Sequence, residues 1–239
     1  MADLDNFEQD PAAPGRKELL SRRNLVAASV VGGLGAGLAA SPAPVEAAAG
    51  RHAAAGPRGS TVVEFRARID QEGISGEAFT SYGYLTSVTN TKPSKLFDPG
   101  ARSEATALLT AYAVGDLKAR VLDMAVHSLD IVGSMTIYQR QHGGAVFSDP
   151  SSFKVGTVVA RYDLVLQDVL TVFSAGQGLP TLTGDMVQTK AKPLSGPLSG
   201  RTFGQNDSRL RMFATGLGRL IDPATFKATL EIAGNWSVE

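Results

Sequence analysis

The chain has 239 residues, of which 43% are hydrophobic, and its 23 Lys and Arg balance 23 Asp and Glu. That suffices for one sizeable core, and the absence of net charge argues against a nucleic-acid partner, which needs a strongly basic surface. No cysteine is present, which excludes disulfides, thiol nucleophiles and iron–sulfur clusters, and the three histidines have no close ligand spacing that would suggest a metal site.

An acidic leader comes first, followed by Ser21-Arg22-Arg23-Asn24-Leu25-Val26, the weakly apolar run AASVVGGLGAGLAA and the Pro/Ala-rich SPAPVEAAAG. Paired arginines ahead of a Gly/Ala-rich apolar run fit a twin-arginine export signal over residues 1–49, with cleavage expected close to Gly50. The product is then expected outside the cytoplasm, periplasmic or extracellular. Residues 50–60 read as a flexible Ala/Gly/Pro leader. No later apolar run is long enough to span a bilayer, so no stable membrane insertion is expected after cleavage.

From Thr61 the pattern has period two. Val63, Phe65, Ala67 and Ile69 share one face, and Glu64, Arg66, Arg68 and Asp70 the other, which is a strand signature. Further strands are expected at 79–88, 105–113 after the Asp98-Pro99-Gly100 turn, and 132–140 before a hairpin turn at His142-Gly143-Gly144. Residues 157–173 read as one long strand or two. Ala175-Gly176-Gln177-Gly178 is a turn into a strand at 181–190, and 209–216 and 226–235 complete the set. The segment 116–127 has a helical period through Leu117, Val121 and Met124, or is a further strand and loop. The stretch 190–204 reads as a long loop that could lie over a barrel mouth. Eight or so short strands between Gly, Pro and Asp turns predict an all-β fold over 61–239, an eight-stranded antiparallel barrel.

Two segments carry a family resemblance. Ser94-Lys95-Leu96-Phe97-Asp98, a following Gly and then alternating Leu, Thr and Ala resemble a turn-and-strand of plant allene oxide cyclases. Residues 168–188, DVLTVFSAGQGLPTLTGDMVQ, resemble the strand, Gly-x-Gly turn and Gly-x-x-x-Gln-like strand of those cyclases and of dirigent proteins. The resemblance implies an eight-stranded antiparallel barrel and extends to bacterial barrel cyclases that close polyketide rings by [4+2] cycloaddition. It implies a cyclase or isomerase acting on a hydrophobic polyketide- or oxylipin-like precursor, with no cofactor. A lipocalin-like carrier of a hydrophobic small molecule and a dirigent-like stereocontrol protein are the alternatives, and dimers or trimers of similar barrels admit a homo-oligomer. Glu64 matches a first-strand Glu of the cyclases, whereas Arg66 stands where they carry Asn and their barrel Cys has no counterpart.

Cyclisation in such a pocket works mainly by holding a flexible substrate in a reactive shape, so isolated polar groups among apolar ones are the expected mark. Glu64 and Arg66 are the first catalytic candidates, able to orient a carbonyl or move a proton, unless the four alternating charges form a solvated outer face. Tyr82, Tyr84 and Tyr138 could stack on a substrate and donate to a carbonyl, or pack half-buried. Of Arg161 and Tyr162 only one can face the lumen, because neighbours on a strand point to opposite sides.

Overall fold

A computed structural model describes residues 61–73 and 76–238. The expected export signal and leader lie outside these residues. The eight strands are β1 (Thr61–Glu72), β2 (Ala78–Val88), β3 (Leu109–Asp123), β4 (Val126–Gln139), β5 (Thr157–Ser174), β6 (Gln177–Ala191), β7 (Arg209–Asp222) and β8 (Lys227–Val238). Each pairs antiparallel with the next, and β8 pairs back onto β1, so the sheet closes into a barrel in sequence order. The all-β barrel expected from the alternation is the fold observed.

Closure follows from residues that alternate as the pleat requires. Phe65, Ala67 and Ile69 of β1 face inward, and their partners across the β1–β2 ladder are Leu85, Gly83 and Ser81. Gly83 is small for a reason: a Cβ there would stand 2.2 Å from the carbonyl oxygen of Arg66, so only glycine lets these two strands approach.

Several strands run further than their sequence signals. The segment 116–127 is not helical: β3 continues to Asp123, turns at Met124 (φ 45°) and returns as β4 from Val126. A register shift between Leu117 and Ala119 accounts for the misleading period, because one extra residue breaks the alternation. Residues 157–173 form one strand of 18 residues. His142-Gly143-Gly144 does not join two strands. There the chain leaves the sheet for a crossing through the short 3-10 turn Pro150–Lys154, held by Arg140, which donates to the carbonyls of His142, Gly143 and Ser152.

The two ends of the barrel differ. The 92–108 and 192–208 loops cap one end, burying Leu96 and Phe97 from the first and Leu194, Leu198 and Phe203 from the second. Two glutamines fix the second loop. The Gln139 side chain accepts from Ser195 N–H and donates to Ser195 C=O, both at 2.8 Å. Gln188 donates to the carbonyls of Phe203 (2.7 Å) and Lys190 (3.0 Å) and accepts from Gln205 N–H (3.1 Å). The 190–204 stretch is therefore a packed closure. Beneath it Phe65, Tyr162 and Trp236 fill the lumen, with the Phe65 and Trp236 ring centres 5.3 Å apart. Among the described residues the opposite end carries short turns and no capping loop. Among the described residues no helix is long and apolar enough to cross a membrane.

Candidate functional site

At the open end lies a cavity of about 180 Å³. Its wall is mostly hydrocarbon, with Phe79, Leu129, Leu170 and Leu230 prominent, and six polar residues line it: Gln71, Arg120, His127, Asp168, Gln177 and Arg219. The β3–β4 and β4–β5 registers place three of these six polar residues relative to one another. Arg120 of β3 sits opposite Leu129 of β4, which sits opposite Asp168 of β5, so the three form one rung across the inner wall. His127 occupies the next inward rung towards the mouth, opposite Leu170.

Asp168 is the singular group. It interrupts the inward apolar series Leu164, Leu166 and Leu170 and is only 3% exposed. Its Oδ1 accepts a hydrogen bond from Thr181 N–H at 3.1 Å. Its Oδ2 has no such partner among the described residues. No fully enclosed side-chain oxygen there lacks a partner, so Oδ2 must face the cavity. Burial pushes the carboxyl from 3.8 up to about 6, with the Thr181 bond pulling weakly the other way, because an apolar surround penalises the charged form.

The mouth is braced by Arg120. Its Nη2 donates to Gly76 C=O at 3.0 Å, the carbonyl that Gln71 Nε2 also reaches at 3.0 Å. The guanidinium lies 4.8 Å from the Phe226 ring centre, a cation–π contact that holds the phenyl at the entrance. Phe226 adopts φ 53°, which is uncommon for a bulky residue and marks a turn held by its surroundings. Burial lowers the Arg120 pKa from its ordinary value, with Glu77 opposing.

None of the seven site residues expected from the sequence lines this cavity. Glu64 and Arg66 project from the outer face of β1 and are exposed, so the solvated-face alternative describes them and the lumen pair does not form. Tyr82, Tyr84 and Tyr138 also face outward, because they share rungs with Arg68, Arg66 and Thr110. Tyr82 and Tyr84 are nonetheless buried, since the 141–156 crossing lays Phe147 and Phe153 over them. Tyr82 Oη donates to Asp70 Oδ2 at 2.8 Å; burial first, and Asp70 second, push its phenol up to about 12. Arg161 is exposed outside. Tyr162 does point inward, but at the packed end against Trp236, where burial raises its pKa.

The structure does bring Arg66 and Tyr84 together, along the wall of an outer groove of about 490 Å³ that also includes Arg68, Phe147 and Glu231. Arg68 and Glu231 pair there at 3.2 Å. This groove is open and its charges are largely solvated, so it lacks the dry surround that gives a polar group chemical leverage. No family model, curated protein or solved structure matches the chain.

Proposed function

We propose that the open-end cavity takes a hydrophobic small molecule and that Asp168 moves protons on it during a cyclisation or isomerisation. One observation carries this reading: a buried carboxyl at the floor of a largely apolar cavity, anchored by one oxygen and open to the cavity through the other, where burial pushes its pKa up to about 6. Such a group can serve as acid or base at physiological pH, because both of its protonation states are populated.

Isomerisation and ring closure conserve composition, so a single carboxyl suffices to close the proton balance. Neutral Asp168 gives its proton to one substrate atom, and the carboxylate takes one back from another. Thr181 N–H stabilises the carboxylate in between. The apolar walls exclude water and fold the substrate into a reactive shape, which supports catalysis by positioning. Arg120 and Gln71 at the mouth offer donors for a carbonyl or similar polar end. The resemblance to allene oxide cyclases supports the same reaction class, and the apparent export signal supports action outside the cytoplasm.

The test is to identify molecules that co-purify with the protein from its producing cells, then to assay their conversion by wild type and by Asp168→Asn. The expected result is turnover with a pH-rate limb near 6 that is lost in the variant, while binding persists. Equal turnover by Asp168→Asn removes the proton role. A molecule bound but unchanged by wild type assigns the barrel as a carrier.

A further inference from the structure

The rim of the open end is apolar where its strands run into their hairpins. Turn residues in a soluble barrel are normally Gly, Pro, Asn, Asp and Ser, since they meet water. Here the strand ends beside three successive hairpins carry large exposed hydrocarbon side chains, and Met124 does so within the turn itself. The β3–β4 tip carries Val121, Met124 and Val126, with Met124 95% exposed and Val121 61% exposed. The β5–β6 tip carries Phe173 and Leu179, and the β7–β8 tip Ile221, all three exposed. At the capped end the 92–108 and 192–208 loops do the reverse and bury their leucines and phenylalanines, while Val146 and Val155 of the 141–156 crossing stay exposed. The asymmetry coincides with the cavity, whose opening lies among these tips.

The shape of the patch selects its occupant. Three separate tips around an opening match a plane. The closed barrel offers no free strand edge for an added peptide. The nearby charges are mixed in sign and partly spent. Lys227 pairs with Glu72 at 3.1 Å, Asp222 accepts from Ala224 N–H and the Thr225 hydroxyl within its own turn, and Arg219 and Asp123 offset one another in sign. Among the described residues Arg120, Arg219 and Lys227 at this rim are matched in number by Glu72, Asp123 and Asp222, so no net positive charge favours anionic headgroups.

We propose that the three hairpin tips seat the open end of the barrel on a zwitterionic lipid surface, so that the cavity exchanges its ligand with the membrane. The tips dip into the headgroup region and the barrel stays outside the hydrocarbon, a peripheral contact. The passage of ligand rests on the proposed hydrophobic occupant; the docking itself rests only on the tips.

The chain contains no cysteine, so one engineered thiol can be labelled cleanly. Full-length Met124→Cys carrying an environment-sensitive nitrobenzoxadiazole dye is titrated with phosphatidylcholine vesicles, alongside Ser199→Cys on the exposed capped-end loop. The expected result is a blue shift and severalfold brighter emission at position 124, with none at 199. Adding Phe173→Ser and Ile221→Ser is expected to weaken vesicle partition by about tenfold or more, through loss of apolar contact. These side chains are exposed, so the fold is expected to persist, which circular dichroism checks. No shift at 124, equal shifts at both positions, or partition that survives the double substitution overturns the proposal. A shift at 124 that grows with protein concentration without vesicles also overturns it, assigning the rim to a second copy. Turnover by wild type and Asp168→Asn in detergent-free buffer reports on the cavity chemistry separately, so either claim can fail alone.

Discussion

Replacing Asp168 with Asn separates the energetic cost of the buried carboxyl from its other roles. The amide is nearly isosteric and keeps an oxygen to accept from Thr181 N–H but cannot ionise. In the folded protein the carboxyl holds its proton up to about 6, against 3.8 ordinarily. At about 1.4 kcal/mol for each tenfold in proton affinity, that gap amounts to about 3 kcal/mol opposing folding. The penalty is absent below about pH 3.8, where folded and unfolded chains both hold the proton. It grows as the pH climbs towards 6, because the unfolded chain ionises first, and is full above that. Urea unfolding of wild type and variant from pH 3.5 to 8 is therefore expected to converge at the acid end. At pH 8 the variant is expected to be more stable by about 3 kcal/mol, or about 6–12 °C in melting temperature. An offset independent of pH, or a destabilised variant at pH 8, would mean that the carboxylate is stabilised in place.

Gln188→Leu removes two donated bonds and one accepted bond that hold the 192–208 closure. At about 1–3 kcal/mol for each buried polar group left unpaired, urea unfolding should show a loss of at least about 3 kcal/mol; a loss under about 1 would mean that leucine and phenylalanine contacts alone hold that loop. Glu64→Gln and Arg66→Ala, on the outer face of β1, are expected to leave turnover of a co-purified substrate unchanged, and a fall with either variant would move the chemistry to the outer groove. Tyr82→Phe removes the donor to Asp70 and is expected to cost about 1 kcal/mol in urea unfolding without changing that turnover.

The strands were legible because each is long enough for its alternation to show, and because Gly, Pro and Asp mark the turns between them. Strand ends were less legible, since pairing with a neighbour extends a strand past its own local signal, as in β3 beyond Ala113 and β4 before Val132. The register shift at Leu117/Ala119 hid the phase of Arg120, which period two alone would have turned outward. Tyr82 and Tyr84 show a different limit. They are buried, as their size suggests, yet by a crossing loop on the outside of the barrel, and no local pattern reveals which distant segment covers a face. Asp168 had a visible signal: a charge in phase with Leu164, Leu166 and Leu170, where every second residue is otherwise apolar. Glu64 drew attention through resemblance, but it lies out of phase with the inward Val63, Phe65 and Ala67.

Whether an apolar guest site lies over the Asp168 carboxyl is read from carbon-13 NMR of that carboxyl through a pH titration, with and without saturating benzene. Small apolar guests enter dry hydrocarbon cavities, and the open-end cavity of about 180 Å³ has room for one. The predicted result is a titration near 6 in the free protein that moves higher when benzene displaces remaining water, while the signals of the outer-face aspartates stay put. A titration near the ordinary 3.8 with no response to benzene would mean that the carboxyl faces water and no apolar guest site covers it.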